Sequence, residues 1–162
     1  RDLHYPLRRQ RQMCIRDRWG AVDKPINPMQ QAISAGATFV ARSTHTNPKH
    51  LLSMMEAAMD HKGFAFIECL SECTEFYDGA FDSSNPRKGG EFNEVPEDHD
   101  PTDENAAYAL SEELVPGHFG IYYQIDRPTK QDNEAAVNAK FLEKTKGMED
   151  WEILQQNFDK MK

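Results

Sequence analysis

Two short runs rich in β-forming residues, ATFVA at Ala37–Ala41 and FAFIECL at Phe64–Leu70, bracket a single helix-patterned stretch. That arrangement narrows the possible folds more than any other feature of the chain. Asn47-Pro48 marks the helix start, because asparagine caps free N–H groups and proline's missing N–H costs nothing in the first turn. Leu51, Leu52, Met54, Met55, Ala58 and Met59 then recur at helical spacing and form an apolar stripe. His61 and Lys62 suit the negative end of the helix, and Gly63 stops it. Strand, helix and strand joined by short loops make a βαβ unit with parallel strands and a right-handed crossover. The fold class is therefore α/β. Phe64–Leu70 is apolar almost throughout, so it is expected to be buried on both faces, with Cys69 as a small core thiol.

The flanking segments extend this pattern. Gly20, Pro25 and Pro28 punctuate a loop, and Met29–Ala35 predicts a short helix closed at Gly36. Asn105–Leu114 predicts a helix with Ala106, Ala107, Leu110 and Leu114 on one face, ended by Pro116-Gly117. Phe119–Ile125 predicts a third strand. Lys130–Lys146 predicts a charged helix broken by Gly147. Trp151, Leu154, Phe158 and Met161 form a stripe on a last short helix, which reads as a docking face. Three segments result: an arm over 1–18, the main domain over 19–130, and a helical tail over 131–162.

Charge is unevenly spread. The 162 residues carry −8 in total, while the first 18 hold six arginines and two aspartates, a net +4 that leaves −12 on the other 144. That balance disfavours general affinity for nucleic acid or anionic membrane. No stretch approaches the ~18 apolar residues that a membrane span needs. Three cysteines in a chain of this length do not make a disulfide framework. The expected setting is reducing and cytoplasmic. The arm is read as non-native or disordered: RQMCIRDR resembles translated sequencing-adapter read-through, which removes Cys14 and His4 from the chemistry. The alternative is a basic arm for an acidic partner. On the first reading, the natural N-terminus lies upstream.

Few residues announce chemistry. There is no P-loop, dinucleotide fingerprint or nucleophile elbow. Residues 91–104 hold seven acids and no lysine or arginine, and read as a solvated loop. His99 between Asp98 and Asp100 matches no zinc or EF-hand spacing. His50 and His61 read as surface or capping residues, His118 as a loop residue, and His45 as lying just after the first strand. Cys69 and Cys73 make a C-x3-C. Cys73 falls past the strand in a polar loop, where open α/β sheets place their sites.

Two stretches taken together are familiar: PINPMQQAISAGATFVAR at Pro25–Arg42, and NPKHLLSMMEAAMDHKGFAFIECLSEC at Asn47–Cys73. They resemble the C-terminal half of the beta subunit of 2-oxoacid:ferredoxin oxidoreductases, most closely the 2-oxoglutarate type. FNEVPEDHD at Phe92–Asp100 and GIYYQIDRPT at Gly120–Thr129 fit the same family. The resemblance implies a thiamine diphosphate-binding fold, a parallel sheet flanked by helices. It also implies coenzyme A-dependent oxidative decarboxylation of a 2-oxoacid with an alpha-subunit partner, electrons passing through a [4Fe–4S] cluster to ferredoxin. Cys73 in LSECTEF matches the family's last cluster ligand, although its flanking residues differ from the commoner P-C-x-T-F. The other cluster ligands, and the G-D-G…N motif for Mg2+ and diphosphate, are not in this sequence. No catalytic or thiamine-contacting residue carries over.

Two other readings stay open. One is a non-catalytic assembly module that uses the acidic loop and the Trp151 stripe. The other is a C-x3-C redox or zinc element, in which Cys69 and Cys73 would matter equally.

Overall fold

The computed structural model describes residues 26–74, 78–113 and 116–161. The arm over 1–18, with Cys14 and His4, and the end of the predicted helix at Leu114 lie outside them. Two compact units meet at Arg127/Pro128.

The first unit opens with α1 (Pro28–Ser34), whose cap is Asn27. The Asn27 side chain accepts from the N–H groups of Met29 and Gln30. Its amide also donates to the Ser111 carbonyl at 2.9 Å, so one residue both starts α1 and ties it to α3 (Glu104–Ser111). Strand β1 (Phe39–Thr44) follows, then α2 (Pro48–Asp60), capped by Asn47, then β2 (Ala65–Leu70). Two single 3-10 turns, Asp82–Ser84 and Pro86–Lys88, precede α3. Strand β3 (Gly120–Gln124) closes the unit.

The sheet order is β2-β1-β3. β1 runs parallel to β2 in the register Phe39↔Ala65 to Thr44↔Leu70, as a βαβ unit requires. β3 is antiparallel to β1, with a shift between Val40 and Ala41. The described sheet is therefore mixed, not wholly parallel as expected. The excursion over 71–119 returns the chain to the end of the sheet where β1 finishes. Phe119 donates to the Asn93 carbonyl there, and Gly120 pairs with Arg42. A strand starting at that point must run backwards along β1.

All six residues of β1 are buried. β2 is at the edge, and its residues are mostly half-buried, with Cys69 exposed. This corrects two expectations: β2 is not covered on both faces, and Cys69 is not a core thiol. Side chains alternate along a strand, and Glu68 takes the covered side. It does so because its cross-strand neighbour is Arg42, whose Nε donates to Glu68 Oε2 at 2.7 Å. Arg42 is fully buried and Glu68 nearly so. The stripe on α2 is also less covered than its spacing predicts: no residue of α2 is buried, and Met59 is 85% exposed.

The main core gathers Met29, Ile33, Val40, Ala107, Tyr122 and Tyr123, and a smaller one joins Leu70, Phe81 and Phe119. The second unit contains α4 (Lys130–Lys144) and α5 (Asp150–Asp159). Thr129 and Asp132 form a reciprocal capping box at the start of α4. No helix among the described residues is long and apolar enough to cross a membrane.

Arg42→Met is expected to destabilise the fold by about 3–5 kcal/mol, because it strips the cation from the buried Glu68 carboxylate. The double variant Arg42→Met/Glu68→Leu is expected to be more stable than Arg42→Met alone. Urea denaturation of the three proteins checks both statements.

Candidate functional site

The carboxyl ends of β1 and β2 carry the polar side chains that the sequence leaves without a packing role. Ser43 Oγ lies 2.9 Å from His50 Nδ1, which joins the end of β1 to the first turn of α2. The His50 ring meets Phe92 edge-on at 5.0 Å, and Phe92 stacks on Phe119 at 4.5 Å. His50 is therefore a half-buried packing residue, not the surface residue expected. Loss of surrounding water holds its imidazole below the ordinary 6.5, while Glu94 pulls the other way.

His45 bridges the two strand ends. Its backbone N–H donates to the Leu70 carbonyl at 3.0 Å, and its Nδ1 lies 3.2 Å from the same oxygen. Nε2 is 3.5 Å from Glu72 Oε1, and the other Glu72 oxygen accepts from Gly79 N–H at 2.9 Å. Cys73 follows Glu72 directly. It is half-buried, in the loop after β2, at the strand end expected for it. The loop carrying the thiol is thus held by its neighbour on two sides. Cys69 faces outward, and burial around its sulfur pushes the thiol above its ordinary value.

The remaining described histidines, His61, His99 and His118, make structural contacts. His61 caps α2 and meets Thr38 Oγ1 at 2.8 Å. His99 Nε2 lies 2.8 Å from the Tyr122 carbonyl and pins the acidic loop to β3. His118 pairs with Glu113. Residues 91–104 are largely exposed, with Phe92, Val95, His99 and Pro101 as their anchors. Among the described residues, no group of three His, Cys, Asp or Glu side chains is placed to hold a metal. A [4Fe–4S] cluster takes four thiolates, and the described residues offer only Cys73 in a suitable position. Among the described residues the donor set does not complete a cluster or a Mg2+–diphosphate site, although Cys73 can supply one ligand.

Three buried residues escaped the sequence reading. Arg42 sits under the site, with its Nη1 donating to Tyr122 Oη at 3.2 Å and to the Pro116 carbonyl at 3.3 Å. Tyr122 Oη in turn donates to the His118 carbonyl at 2.7 Å. Burial pushes the Tyr122 phenol up to about 12, against the opposing pull of the guanidinium. Glu68 is the third. The expected strands hide the pair, because the first ends at Ala41, one residue short of Arg42.

Comparison with known proteins places this geometry. No family model matches the chain. It is 41% identical over 64 residues to the 2-oxoglutarate oxidoreductase subunit KorB of Mycobacterium tuberculosis, covering 40% of this chain and 17% of that protein. It is 33% identical over 112 residues to the 2-oxoglutarate synthase subunit KorB of Methanocaldococcus jannaschii, covering 68% of this chain and 40% of the relative. The fold matches a solved 2-oxoglutarate:ferredoxin oxidoreductase from Magnetococcus marinus with a TM-score of 0.66 and 28% identity, over 85% of this chain and 46% of that one. The chain is thus a relative of the beta subunits of 2-oxoacid:ferredoxin oxidoreductases, which are subunits of enzymes. Within that class, the two KorB relatives and the solved structure carry 2-oxoglutarate in their names. The chain spans well under half the length of the two KorB relatives.

The lowered His50 pKa predicts a pH dependence. The folded chain binds fewer protons at this site than the unfolded chain, so stability falls as pH drops below about 6.5. His50→Gln removes that component. The difference in urea midpoint between the native chain and the variant, followed from neutral to mildly acidic pH, is expected to change with pH in that sense.

Proposed function

We propose that this chain forms part of the beta subunit of a 2-oxoacid:ferredoxin oxidoreductase acting with an alpha subunit. The reaction is the coenzyme A-dependent oxidative decarboxylation of a 2-oxoacid, with 2-oxoglutarate as the substrate, and ferredoxin accepts the electrons. What carries this reading is the match of 33% identity over 112 residues to a 2-oxoglutarate synthase subunit. The fold match to a structure holding 2-oxoglutarate, coenzyme A and succinyl-CoA supports it.

On this reading Cys73 supplies one thiolate to a [4Fe–4S] cluster, and the remaining ligands come from elsewhere in the subunit. Its position favours that role. It sits past the end of β2 on a loop braced by the His45–Glu72–Gly79 contacts, so the thiolate is presented without a large ordering cost. Cys69 belongs to the edge strand and takes no part. Thiamine diphosphate and Mg2+ are held by residues outside the described segments.

The test is a pair of serine substitutions in the complete enzyme, co-expressed with its alpha subunit. Cys73→Ser is expected to lower iron content and visible absorbance and to abolish ferredoxin reduction. Cys69→Ser is expected to leave all three unchanged. Equal losses in both variants would favour the C-x3-C reading instead, and retention of the full cluster in Cys73→Ser would remove Cys73 from the ligand set.

A further inference from the structure

The second unit contains a groove of about 340 Å³ lined by both of its helices. From α4 it takes Val137, Lys140, Phe141 and Lys144, from α5 it takes Ile153, Gln156 and Asn157, and Lys160 joins from the cap just past α5. The α4 set recurs at i, i+3, i+4 and i+7, so it occupies one face. Its apolar members are Val137, Phe141 and Ile153, with Phe141 47% exposed, and Thr145, Gln156 and Asn157 are neutral and polar. The rim is basic. No acidic side chain lines the groove, although the chain as a whole carries −8.

Of the lysines in this unit, Lys130 alone forms an ion pair among the described residues, with Glu134 one helical turn away. Lys140, Lys144 and Lys160 make no ion pair with a described residue. The nearest acid on this face of α4, Glu134, lies one turn beyond Val137 and lines a separate depression. The Trp151, Leu154, Phe158 and Met161 stripe, which the sequence marks as a docking face, is exposed as expected. It lies roughly a third of a turn around α5 from Ile153 and Lys160, and it has no comparable ring of like charge.

We propose that the groove between α4 and α5 docks an acidic, amphipathic helix of another protein. Apolar anchors at helical spacing would fill the floor over Val137, Phe141 and Ile153, as in helix-in-groove recognition. Carboxylates flanking them would meet Lys140, Lys144 and Lys160. Three cations gathered on one rim of an acidic chain attract such a segment and repel a basic one, so the charges set specificity and association rate more than affinity. This reading stands independently of the assignment to an oxidoreductase.

The test uses the full chain and a fluorescein-labelled helical peptide of Leu, Glu and Ala with its leucines on one face. A matched peptide with Lys in place of Glu serves as control. Anisotropy is expected to rise saturably with the Glu peptide only, and to weaken as salt shortens the Debye length. K140E/K144E/K160E is expected to weaken binding by roughly tenfold or more, and Phe141→Ala by a similar factor. Circular dichroism reports whether the helices survive, and K144E alone replaces the triple variant if they do not. Equal binding of the Lys peptide, or unchanged binding by the charge-reversed chain, would overturn the proposal. So would self-association abolished by the same substitutions, which would make the occupant a second copy.

Discussion

A buried ion pair decides how the sheet is put together. Arg42 and Glu68 lie opposite each other on the parallel pair β1–β2, both withdrawn from water. Isolating either charge in the interior is costly, so the two strands are bound to the register that brings them together. A slip of one residue would turn Glu68 to the outer face and Cys69 inward. The pair therefore fixes more than its own energy: it determines which side of β2 faces the core. It also carries an uncompensated element. Among the described residues Arg42 Nη2 is buried without a hydrogen-bond partner, an arrangement that typically costs about 1–3 kcal/mol. The Tyr122 ring 5.2 Å from the guanidinium carbon offsets part of that through its π face.

From this pair the order propagates to the loops. Tyr122 Oη accepts from Arg42 and donates to the His118 carbonyl, so the entry to β3 is tied to the centre of β1. At the same end of the sheet, His45 and Glu72 hold the loop bearing Cys73. Gly90 seals the excursion between them. A β-carbon there would come within 2.3 Å of the Asp82 carbonyl oxygen, so the backbone passes too closely for any side chain. The loop that presents the thiol is thus fixed by side-chain contacts, and the excursion beyond it by close backbone approach at Gly90. Neither depends on a large apolar core, which suits a chain whose apolar fraction is only 38%.

The βαβ unit was legible because its signals were local. Asn47-Pro48 and Gly63 bound α2, and the β-rich runs bound the strands. The position of Cys73 was legible for the same reason, since it required only the end of a strand. Which face of β2 is buried was not legible from the run itself. FAFIECL looks uniformly apolar but for Glu68, and a single acid reads naturally as the outward residue. The partner that reverses this reading lies 26 residues away on another strand. The reversal of β3 was hidden for a related reason, because it depends on where the long excursion delivers the chain. His50 was misplaced because its packing partners, Phe92 and Phe119, are remote in sequence.

The covering of α2 follows from the same geometry. The helix packs across β1 and β2, but β2 is an edge strand and offers it little depth. Leu52 and Met55 consequently remain about half exposed, and Phe64 at the following turn is 62% exposed. Scattered apolar residues on a surface are ordinary; several on one helix and its exit turn are not. With so little buried area, α2 depends on its ends: the Asn47 cap, the proline in its first turn and the His61–Thr38 contact at its C-cap. Gly63 makes that final contact possible, since a β-carbon there would stand 2.1 Å from Thr38 Oγ1. A side chain at position 63 would displace the threonine that anchors the helix end. That links the stability of the crossover helix to a residue that lies outside it.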